Sequence, residues 1–522
     1  MGLWQIMLAE TEHDSDDRAD SASQTCSWST PDRVALSVLL GSLAAMLAWL
    51  VHPWYDPMND ASIYISTTRA LIAGDGYSHL GMPFQLRPPG FPFLLAPLLQ
   101  VSGSNFYAMN LYVASFGCGV VILLYCWARP RLGWLLSLLC CLLVGTNPVF
   151  LRLCNQVMSD VPGVFFVLAA LIIARECERK PSLGKEVLLG ICIGVSAYVR
   201  VLGLMLLPAI LLDRLIRHLR KDPRDQTWKQ FLLRRWVPVA AVTILLLAPW
   251  GIRNQLNPIE LPVDQLLNHS YATAMFHYDL GDPRSARVSV RDWGARILER
   301  GNQVSAGLAT RLRDAEPTPM RLGAATLILG IYFYWLVTSP SALGLFILFA
   351  LGVTGSYFAF QDRLLLPIFV LLVPVLAEAI QRLIDRRWGT RWATGVVAGL
   401  LLAITFVDFA PRNGWAEIEA RHERLTKISQ TLERELLPDA RLATLRGFHY
   451  AMLMDRPVYS LRWAHRHGSG SDGIDAVIDR YRINTLLLDP EVRLDRASEK
   501  QLVARYGEGQ RIAGVRVIRV RE

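Results

Sequence analysis

Apolar stretches of membrane length recur along most of the chain, and this repetition constrains the fold more than any other feature of the sequence. They lie at about 34–51, 106–127, 132–146, 161–174, 237–251, 322–337, 341–359, 364–381 and 393–410. About 20 apolar helical residues span the hydrocarbon core of a bilayer, which is about 30 Å thick. In a chain of 522 residues with 52% hydrophobic content, this pattern predicts a polytopic α-helical membrane protein.

A further apolar segment, 187–212, is interrupted by Arg200 and flanked on both sides by basic loops. Basic loops between spans are typical of the cytoplasmic side. A hairpin of two short helices that turns near 198–203 keeps both loops on that side. The sequence therefore predicts about eleven membrane passes, including this short helical hairpin, with Arg200 at depth in the membrane.

The formal charge of +9 comes mostly from residues between the spans. Basic runs occur at 129–131, 175–180, 214–224 and 382–391. They orient the N-terminus toward the cytoplasm and the loops 52–105, 147–160 and 252–321 toward the outer face. No basic stripe with interleaved aromatic residues is present, which argues against a nucleic-acid partner. We expect an integral protein of a prokaryotic inner membrane, in contact with membrane lipids.

The sequence divides into three parts. Residues 1–33 are polar and acidic, which predicts a disordered cytoplasmic tail. Residues 34–410 form the transmembrane domain, and residues 411–522 are predicted to form a small C-terminal α/β extracytoplasmic domain. In that last part we expect an amphipathic helix at 415–437, strands at 441–445, 485–489 and 511–520, and helices near 472–482 and 495–506.

The segment 59–90 follows the first apolar stretch and combines an acid, a helix and a cation. Asp60 and Tyr64 are four residues apart and share one face of a helix that begins near Asn59. Arg87 precedes the rigid Pro88–Pro89–Gly90 corner. Asp60 is a candidate general base on an acceptor hydroxyl, although an aspartate at this position could also cap the helix.

Further candidate residues lie at the ends of other apolar stretches. Asp160 opens one of them, as a helix cap or as a second acid facing Asp60. Arg87, Arg200 and Arg363 are candidates for binding a donor phosphate, because guanidinium groups form bidentate bonds to phosphate. Their alternatives are interfacial anchors for Arg87 and Arg363 and a structural ion pair for Arg200. Tyr64 and Arg253 are candidate substrate-binding residues, and Arg253 could equally be an interface residue.

Six motifs in order support a family resemblance. They are NDASIYISTTRALIAGDGYS, RPPGFPFLLAPL, NPVFLRLCNQVMSDVPGVFF, YVRVLGLMLLP, PWGIRN and QDRLLLP. Over about residues 34–410 the chain resembles GT-C-fold glycosyltransferases, in particular the protein mannosyltransferase and aminoarabinose transferase branch, which uses polyprenyl-phosphate sugars.

The resemblance implies inverting transfer of one sugar from a polyprenyl phosphate to a lipid, glycan or protein acceptor at the outer face. Asp60 matches the catalytic aspartate of the family, Asp160 matches its second acid, and Arg87 matches the residue that contacts the carrier phosphate. Ala61 departs from the pattern, because the branch often has Glu there. A bound Mg²⁺ or Mn²⁺ is compatible with the family, but no metal-ligand spacing supports one.

Two other functions remain open at this point. A transporter or flippase of a lipid-linked anion would also use an intramembrane arginine and a broken apolar segment. A non-catalytic membrane scaffold whose C-terminal part binds protein would account for residues 411–522. The sequence does not name the sugar or the acceptor.

Overall fold

The computed structural model describes residues 29–56, 59–220, 228–257, 275–278, 285–312, 316–357, 361–408, 415–462, 471–492 and 494–520. Nearly all of the predicted cytoplasmic tail, and much of the predicted loop 252–321, lie outside these residues.

Residues 30–408 are mainly helical. The helices are α1 Thr30–Leu50, α2 Asn59–Ala73, α3 Gly90–Ser102, α4 Phe106–Gly145, α5 Pro148–Cys154, α6 Asp160–Arg179, α7 Leu183–Val199, α8 Leu206–Arg220, α9 Trp228–Phe231, α10 Val237–Leu256, α11 Val290–Ala309, α12 Pro319–Thr338, α13 Ala342–Ser356, α14 Leu366–Trp388 and α15 Thr390–Asp408. A buried apolar core extends from Leu39 in α1 to Leu401 in α15. The helices therefore pack as one unit.

Four helical segments among the described residues are long and apolar enough to cross a membrane. They are Phe106–Gly145, Trp228–Leu256, Pro319–Thr338 and Arg363–Trp388, and three shorter apolar helices accompany them at Gly90–Ser102, Ala342–Ser356 and Thr390–Phe406. These segments agree with a polytopic helical protein. The number of eleven passes stays a prediction.

Helix α4 contains a sharp reversal at Gly133. This glycine has φ 75° and ψ 176°, a conformation that side-chain-bearing residues rarely adopt. The Cys141 thiol donates to the carbonyl oxygen of Val121 at 3.5 Å, although the residues are 20 positions apart. A straight helix would separate them by about 30 Å, so the two halves of α4 run antiparallel, as the apolar stretches 106–127 and 132–146 predict.

A second reversal lies at Arg200, as the interrupted apolar segment predicts. Arg200 is extended between α7 and the 3₁₀ turn Val201–Met205. Glu186, near the start of α7, pairs with Arg214, near the end of α8, at 2.7 Å, so the far ends of the two helices meet. The arms are longer than the short helices expected, with 17 and 15 residues, because the flanking polar residues continue both helices.

Residues 415–520, called the tail here, form a sheet with helices on both faces. The elements are α16 Trp415–Glu435, β3 Leu442–Thr444, α17 Gly447–Met454, β4 Val458–Ser460, α18 Ser471–Tyr481, β5 Thr485–Leu488, α19 Arg496–Tyr506, β6 Gln510–Ile512 and β7 Val515–Arg519. The strand order is β4-β3-β5-β7-β6, with β3 parallel to β4 and β5. Leu442 and Ala443 point into apolar clusters on opposite faces, as the two-residue period of a strand requires.

Three details of the tail differ from the sequence-based expectation. The segment 511–520, expected as one strand, is the hairpin β6–β7, because Ala513 and Gly514 both adopt positive φ and form the tight turn that two-residue hairpins favour. Helix α17 and the three-residue strand β4 were not predicted.

The tail packs against α2 through α17. Arg69 in α2 donates to the carbonyl oxygen of Met452 and pairs with Asp455 at 3.1 Å. The Met452 side chain belongs to the same apolar core as the membrane helices. Residues 74–89, called the Arg87 loop here, connect α2 to α3 and contain the two-residue strands β1 Ser78–His79 and β2 Met82–Pro83.

Candidate functional site

The carboxylate of Asp60 lies between two arginine side chains. Asp60 is in the first turn of α2 and is 8% exposed. Arg363 donates to its Oδ2 at 2.6 Å, and Arg87 lies 3.4 Å from its Oδ1. The carboxylate therefore serves as an ion-pair partner for residues from two distant parts of the chain.

Asp160 is the second acid of the site and is fully buried at the start of α6. Arg200 lies 3.0 Å from its Oδ1, and Arg363 lies 3.8 Å from its Oδ2. Arg363 thus contacts both acids. We call Asp60, Arg87, Asp160, Arg200 and Arg363 the charge cluster; the structure brings together all five residues that the sequence singled out as catalytic or phosphate-binding.

Two glycines allow the backbones around the cluster to approach closely. A Cβ atom on Gly90 would lie 2.5 Å from the carbonyl carbon of Tyr198, so the Pro-Pro-Gly corner packs directly against the end of α7. A Cβ atom on Gly163 would lie 3.1 Å from the Cβ and Cδ atoms of Arg200. These contacts explain why a glycine follows both Arg87 and Asp160 by three residues.

Tyr64 joins the two acid-bearing helices. Its hydroxyl lies 2.9 Å from the Ser159 hydroxyl, next to Asp160, and its ring packs edge-on against Phe91 at 5.0 Å. Tyr64 follows Asp60 by one helical turn, as the spacing predicts. The Tyr64–Ser159 contact fixes α2 relative to the start of α6.

The cluster favours bound anions. Three guanidinium groups face two carboxylates, which leaves one net positive charge. Burial alone would raise the pKa of Asp60, but the positive charges of Arg87 and Arg363 outweigh it and lower the pKa to about 2. Asp60 is therefore ionised at neutral pH, and its negative charge offsets part of the cationic field.

Arg253 lies outside the charge cluster. Its guanidinium donates to the carbonyl oxygens of Phe84 at 2.9 Å and Tyr77 at 2.6 Å, and it lies 5.4 Å from the ring of Trp250. These contacts hold the Arg87 loop against α10. Direct substrate contact by Arg253 stays a prediction, whereas support of the loop follows from its hydrogen bonds.

Two neighbours of the cluster were not singled out from the sequence. Ser159 contacts Tyr64, and the Tyr77 hydroxyl donates to the carbonyl oxygen of Arg87 at 3.1 Å. Ser159 directly precedes Asp160, at a position where serine is common because it begins a helix. Tyr77 lies within the first family-like motif, so its position in that motif was the available signal.

The arrangement of the two acids does not fit a shared divalent cation. No group of three or more His, Cys, Asp or Glu side chains suited to a metal occurs among the residues that the structure describes. Arg363 contacts both Asp60 and Asp160, and a cation shared by these carboxylates would have to displace its guanidinium group.

A family model supports the resemblance over part of the chain. Residues 86–252 match the model described as dolichyl-phosphate-mannose-protein mannosyltransferase. This segment contains Arg87, Asp160 and Arg200. No curated protein matches the chain.

Solved structures share the fold over most of the chain. The structure of ArnT from Cupriavidus metallidurans bound to undecaprenyl phosphate has a TM-score of 0.58 at 12% identity and covers 92% of this chain and 97% of its own. The apo form of the same protein has a TM-score of 0.57 at 12% identity, with the same coverage. The archaeal oligosaccharyltransferase AglB from Archaeoglobus fulgidus, in complex with an inhibitory peptide and a dolichol-phosphate, has a TM-score of 0.56 at 12% identity and covers 88% of this chain and 70% of its own.

These matches favour an enzyme over the transporter and scaffold alternatives. The shared fold and the matched segment 86–252 together indicate an integral membrane glycosyltransferase with the GT-C fold, and the chain is similar to the dolichyl-phosphate-mannose-protein mannosyltransferases and to ArnT.

Proposed function

We propose that this glycosyltransferase transfers one sugar from a polyprenyl phosphate to a hydroxyl group of a lipid, glycan or protein acceptor at the outer membrane face, with inversion at the sugar. The observation that carries the proposal is the double contact of Arg363 with Asp60 and Asp160. It unites a candidate base and candidate phosphate ligands in one site. ArnT bound to undecaprenyl phosphate and AglB bound to a dolichol-phosphate support a donor of this class.

In this proposal, Arg87, Arg200 and Arg363 bind the donor phosphate. Guanidinium groups stay charged and match the geometry of phosphate oxygens. The net positive charge of the cluster favours the anionic donor. Negative charge grows on the phosphate as its bond to the sugar breaks, and arginines held in a buried site stabilise that charge without reorganising.

Asp60 is the proposed general base. The acceptor oxygen attacks the anomeric carbon, the bond from that carbon to the phosphate oxygen breaks, and the acceptor proton moves to Asp60. The products are the glycosylated acceptor and the free polyprenyl phosphate. Because bond formation and bond breaking occur on opposite sides of the anomeric carbon, the configuration inverts.

A carboxylate with a pKa of about 2 is a weak base, and the pairing of the cluster suggests how it is activated. A bound donor phosphate competes with Asp60 for Arg87 and Arg363. As these guanidinium groups turn to the phosphate, they stabilise the Asp60 carboxylate less, so its proton affinity rises. Donor binding thereby makes Asp60 a stronger base.

Asp160 acts through other residues in this scheme. It is fully buried and contacts Arg200 and Arg363. These contacts support a positioning role, in which Asp160 orients the two arginines for the phosphate and keeps Arg363 close to Asp60. The alternative role of Asp160, which the family resemblance also implies, is positioning of the acceptor.

The test uses the purified full-length protein with the Asp60→Asn substitution. Transfer is measured with a panel of undecaprenyl-phosphate-linked hexoses and pentoses, and binding is measured separately with undecaprenyl phosphate. We expect at least about a hundredfold loss of transfer, the scale for losing a general base, with carrier binding retained. Asp439→Asn is the control, because Asp439 is an exposed aspartate between α16 and β3, outside the charge cluster and the Arg87 loop. Wild-type transfer by Asp60→Asn would remove Asp60 from this role.

A further inference from the structure

A second charged cavity lies at the opposite ends of the helices that build the charge cluster. Its volume is about 640 Å³, and its lining includes Glu178 in α6, Glu186 in α7 and Arg214 in α8. Glu178 follows Asp160 by about 18 residues in α6, which corresponds to about 27 Å along the helix axis. The cavity therefore lies far from the site of the proposed transfer, near the other membrane face.

The floor of this cavity is a fixed frame of ion pairs. Arg214 pairs with Glu186 at 2.7 Å and with Glu178 at 3.1 Å. Arg235 pairs with the same two acids. Arg214 and Glu186 are buried, so the frame joins the ends of α6, α7, α8 and the start of the α9–α10 segment. Its two cations and two anions balance.

Two additional cations line the cavity beyond this frame. Arg217 is half-exposed and pairs with Asp213 at 3.0 Å, and Arg234 is exposed. The four arginines and three carboxylates of this region carry one net positive charge. The His218 ring, also in the lining, stacks on Phe231 at 4.2 Å. The cavity thus favours an anion, with Arg217 and Arg234 as its accessible ligands.

The rim of the cavity is apolar. Leu183 is 65% exposed and Leu233 is 54% exposed, and both line the cavity. Leu233 and Arg234 are in the π-helical turn Leu232–Trp236, a rare conformation that is frequent at functional sites. This turn belongs to Trp228–Leu256, a segment long and apolar enough to cross a membrane. A charged floor next to an apolar, exposed rim suits a ligand with a phosphate and acyl chains.

We propose that this cavity binds the headgroup phosphate of an anionic phospholipid from the leaflet opposite the charge cluster. Arg217 and Arg234 contact the phosphate, and Leu183 and Leu233 contact the glycerol and the first acyl carbons. Basic pockets between membrane helices bind anionic lipid headgroups in this manner. The inference stands independently of the proposed glycosyl transfer, because no residue of the charge cluster takes part.

The experiment compares lipid binding by two double variants of the full-length protein, measured by native mass spectrometry from detergent. Arg217→Gln/Arg234→Gln removes the accessible cations and leaves the frame of Arg214 and Arg235 intact. Arg387→Gln/Arg391→Gln removes two exposed arginines at or just after the end of α14 that points away from the cluster. The probes are phosphatidylglycerol, phosphatidylcholine and inorganic phosphate.

We expect phosphatidylglycerol to bind the wild type more tightly than phosphatidylcholine does, and the cavity variant to bind it at least about tenfold more weakly, a change of about 1.4 kcal/mol. The control variant should bind it like the wild type. Equal loss in both variants would indicate a nonspecific charge effect and overturn the proposal. Displacement by equimolar inorganic phosphate would also overturn it, in favour of a soluble anion. If the double variant does not fold, Arg234→Gln alone gives the same comparison, because this side chain is exposed.

Discussion

The guanidinium group of Arg363 donates a hydrogen bond to the carboxylate of Asp60 at 2.6 Å, although the two residues are 303 positions apart. The same group lies 3.8 Å from Asp160. A planar guanidinium can contact two acids at once, so Arg363 sets the spacing of the carboxylates and the charge between them.

Replacing Arg363 with lysine should reduce transfer even though the charge is kept. An ammonium group is compact and lacks the planar fork, so it cannot contact Asp60, Asp160 and a phosphate with the same geometry. We expect kcat/KM to fall at least about tenfold, a loss of about 1.4 kcal/mol of transition-state stabilisation. Arg391→Lys, at an exposed position, should leave it unchanged. Wild-type kinetics for Arg363→Lys would show that only the charge matters.

The pH dependence of transfer should differ between the free enzyme and the donor complex. With a pKa of about 2, Asp60 is ionised from about pH 5 to pH 8, so its titration should not shape kcat/KM in this range. In the donor complex the pKa rises, because the phosphate draws Arg87 and Arg363 away. The acidic limb of kcat should therefore lie at higher pH than that of kcat/KM.

The Arg87→Gln variant provides the matched test of this coupling. Removing one positive charge from Asp60 raises the pKa of the free carboxyl group. The acidic limb of kcat/KM should then move to higher pH and approach that of kcat. Coincident limbs in the wild-type enzyme would contradict the activation of Asp60 by donor binding.

Replacing Gly90 with alanine should disturb the geometry of the charge cluster, although Gly90 is not one of its members. The new methyl group would lie 2.5 Å from the backbone of Tyr198, so α3 and α7 must move apart. Arg87 precedes α3 and Arg200 follows α7, and their separation should raise the KM for the donor. We expect the free energy of unfolding to fall by about 1–3 kcal/mol, which is typical of overpacking. Gly184→Ala is the control, because a Cβ atom there meets no atom within 4 Å.

Replacing Phe448 with alanine should impair transfer from within the tail. Phe448 in α17 is buried against Tyr77, Phe84 and Leu86 of the Arg87 loop, and it stacks on His79 with a centroid distance of 5.4 Å. Removal of a buried Phe side chain costs about 3–5 kcal/mol, and here the loss falls on the loop that positions Arg87. We expect a higher KM for the donor and faster proteolysis of the loop.

The control for this prediction is Phe406→Ala, since Phe406 in α15 is 86% exposed. It removes the same side chain without opening a cavity in the protein. If Phe448→Ala shows the kinetics of the wild type and an equally protected loop, the tail does not position Arg87.

The members of the charge cluster could be predicted because each stands beside a local signal. Asp60 and Asp160 begin helices, and Arg87 precedes a Pro-Pro-Gly corner. Arg200 interrupts an apolar segment, and Arg363 directly precedes one. Their mutual contacts could not be predicted in the same way. The double contact of Arg363 depends on how α2, α6 and the turn before α14 pack, and no local pattern encodes a contact across 303 positions.

The differences between the predicted and the observed features also have physical causes. Polar residues continue α7 and α8 beyond the apolar segment, so hydropathy alone underestimates these helices. Ala513 at φ 49° is an unusual turn residue, and it concealed the β6–β7 hairpin. Arg253 bonds to backbone carbonyl oxygens of the Arg87 loop, partners that carry no sequence signature.

The contact between α2 and α17 has a consequence for biosynthesis. Arg69 and the Met452 carbonyl are 383 residues apart, and Phe448 completes the apolar cluster beneath the Arg87 loop. Helix α2 and the Arg87 loop are therefore synthesised long before α17, which supplies their last contacts. A polypeptide terminated after α15 would carry every member of the charge cluster and lack Phe448, so the contact between the tail and the Arg87 loop forms late in translation.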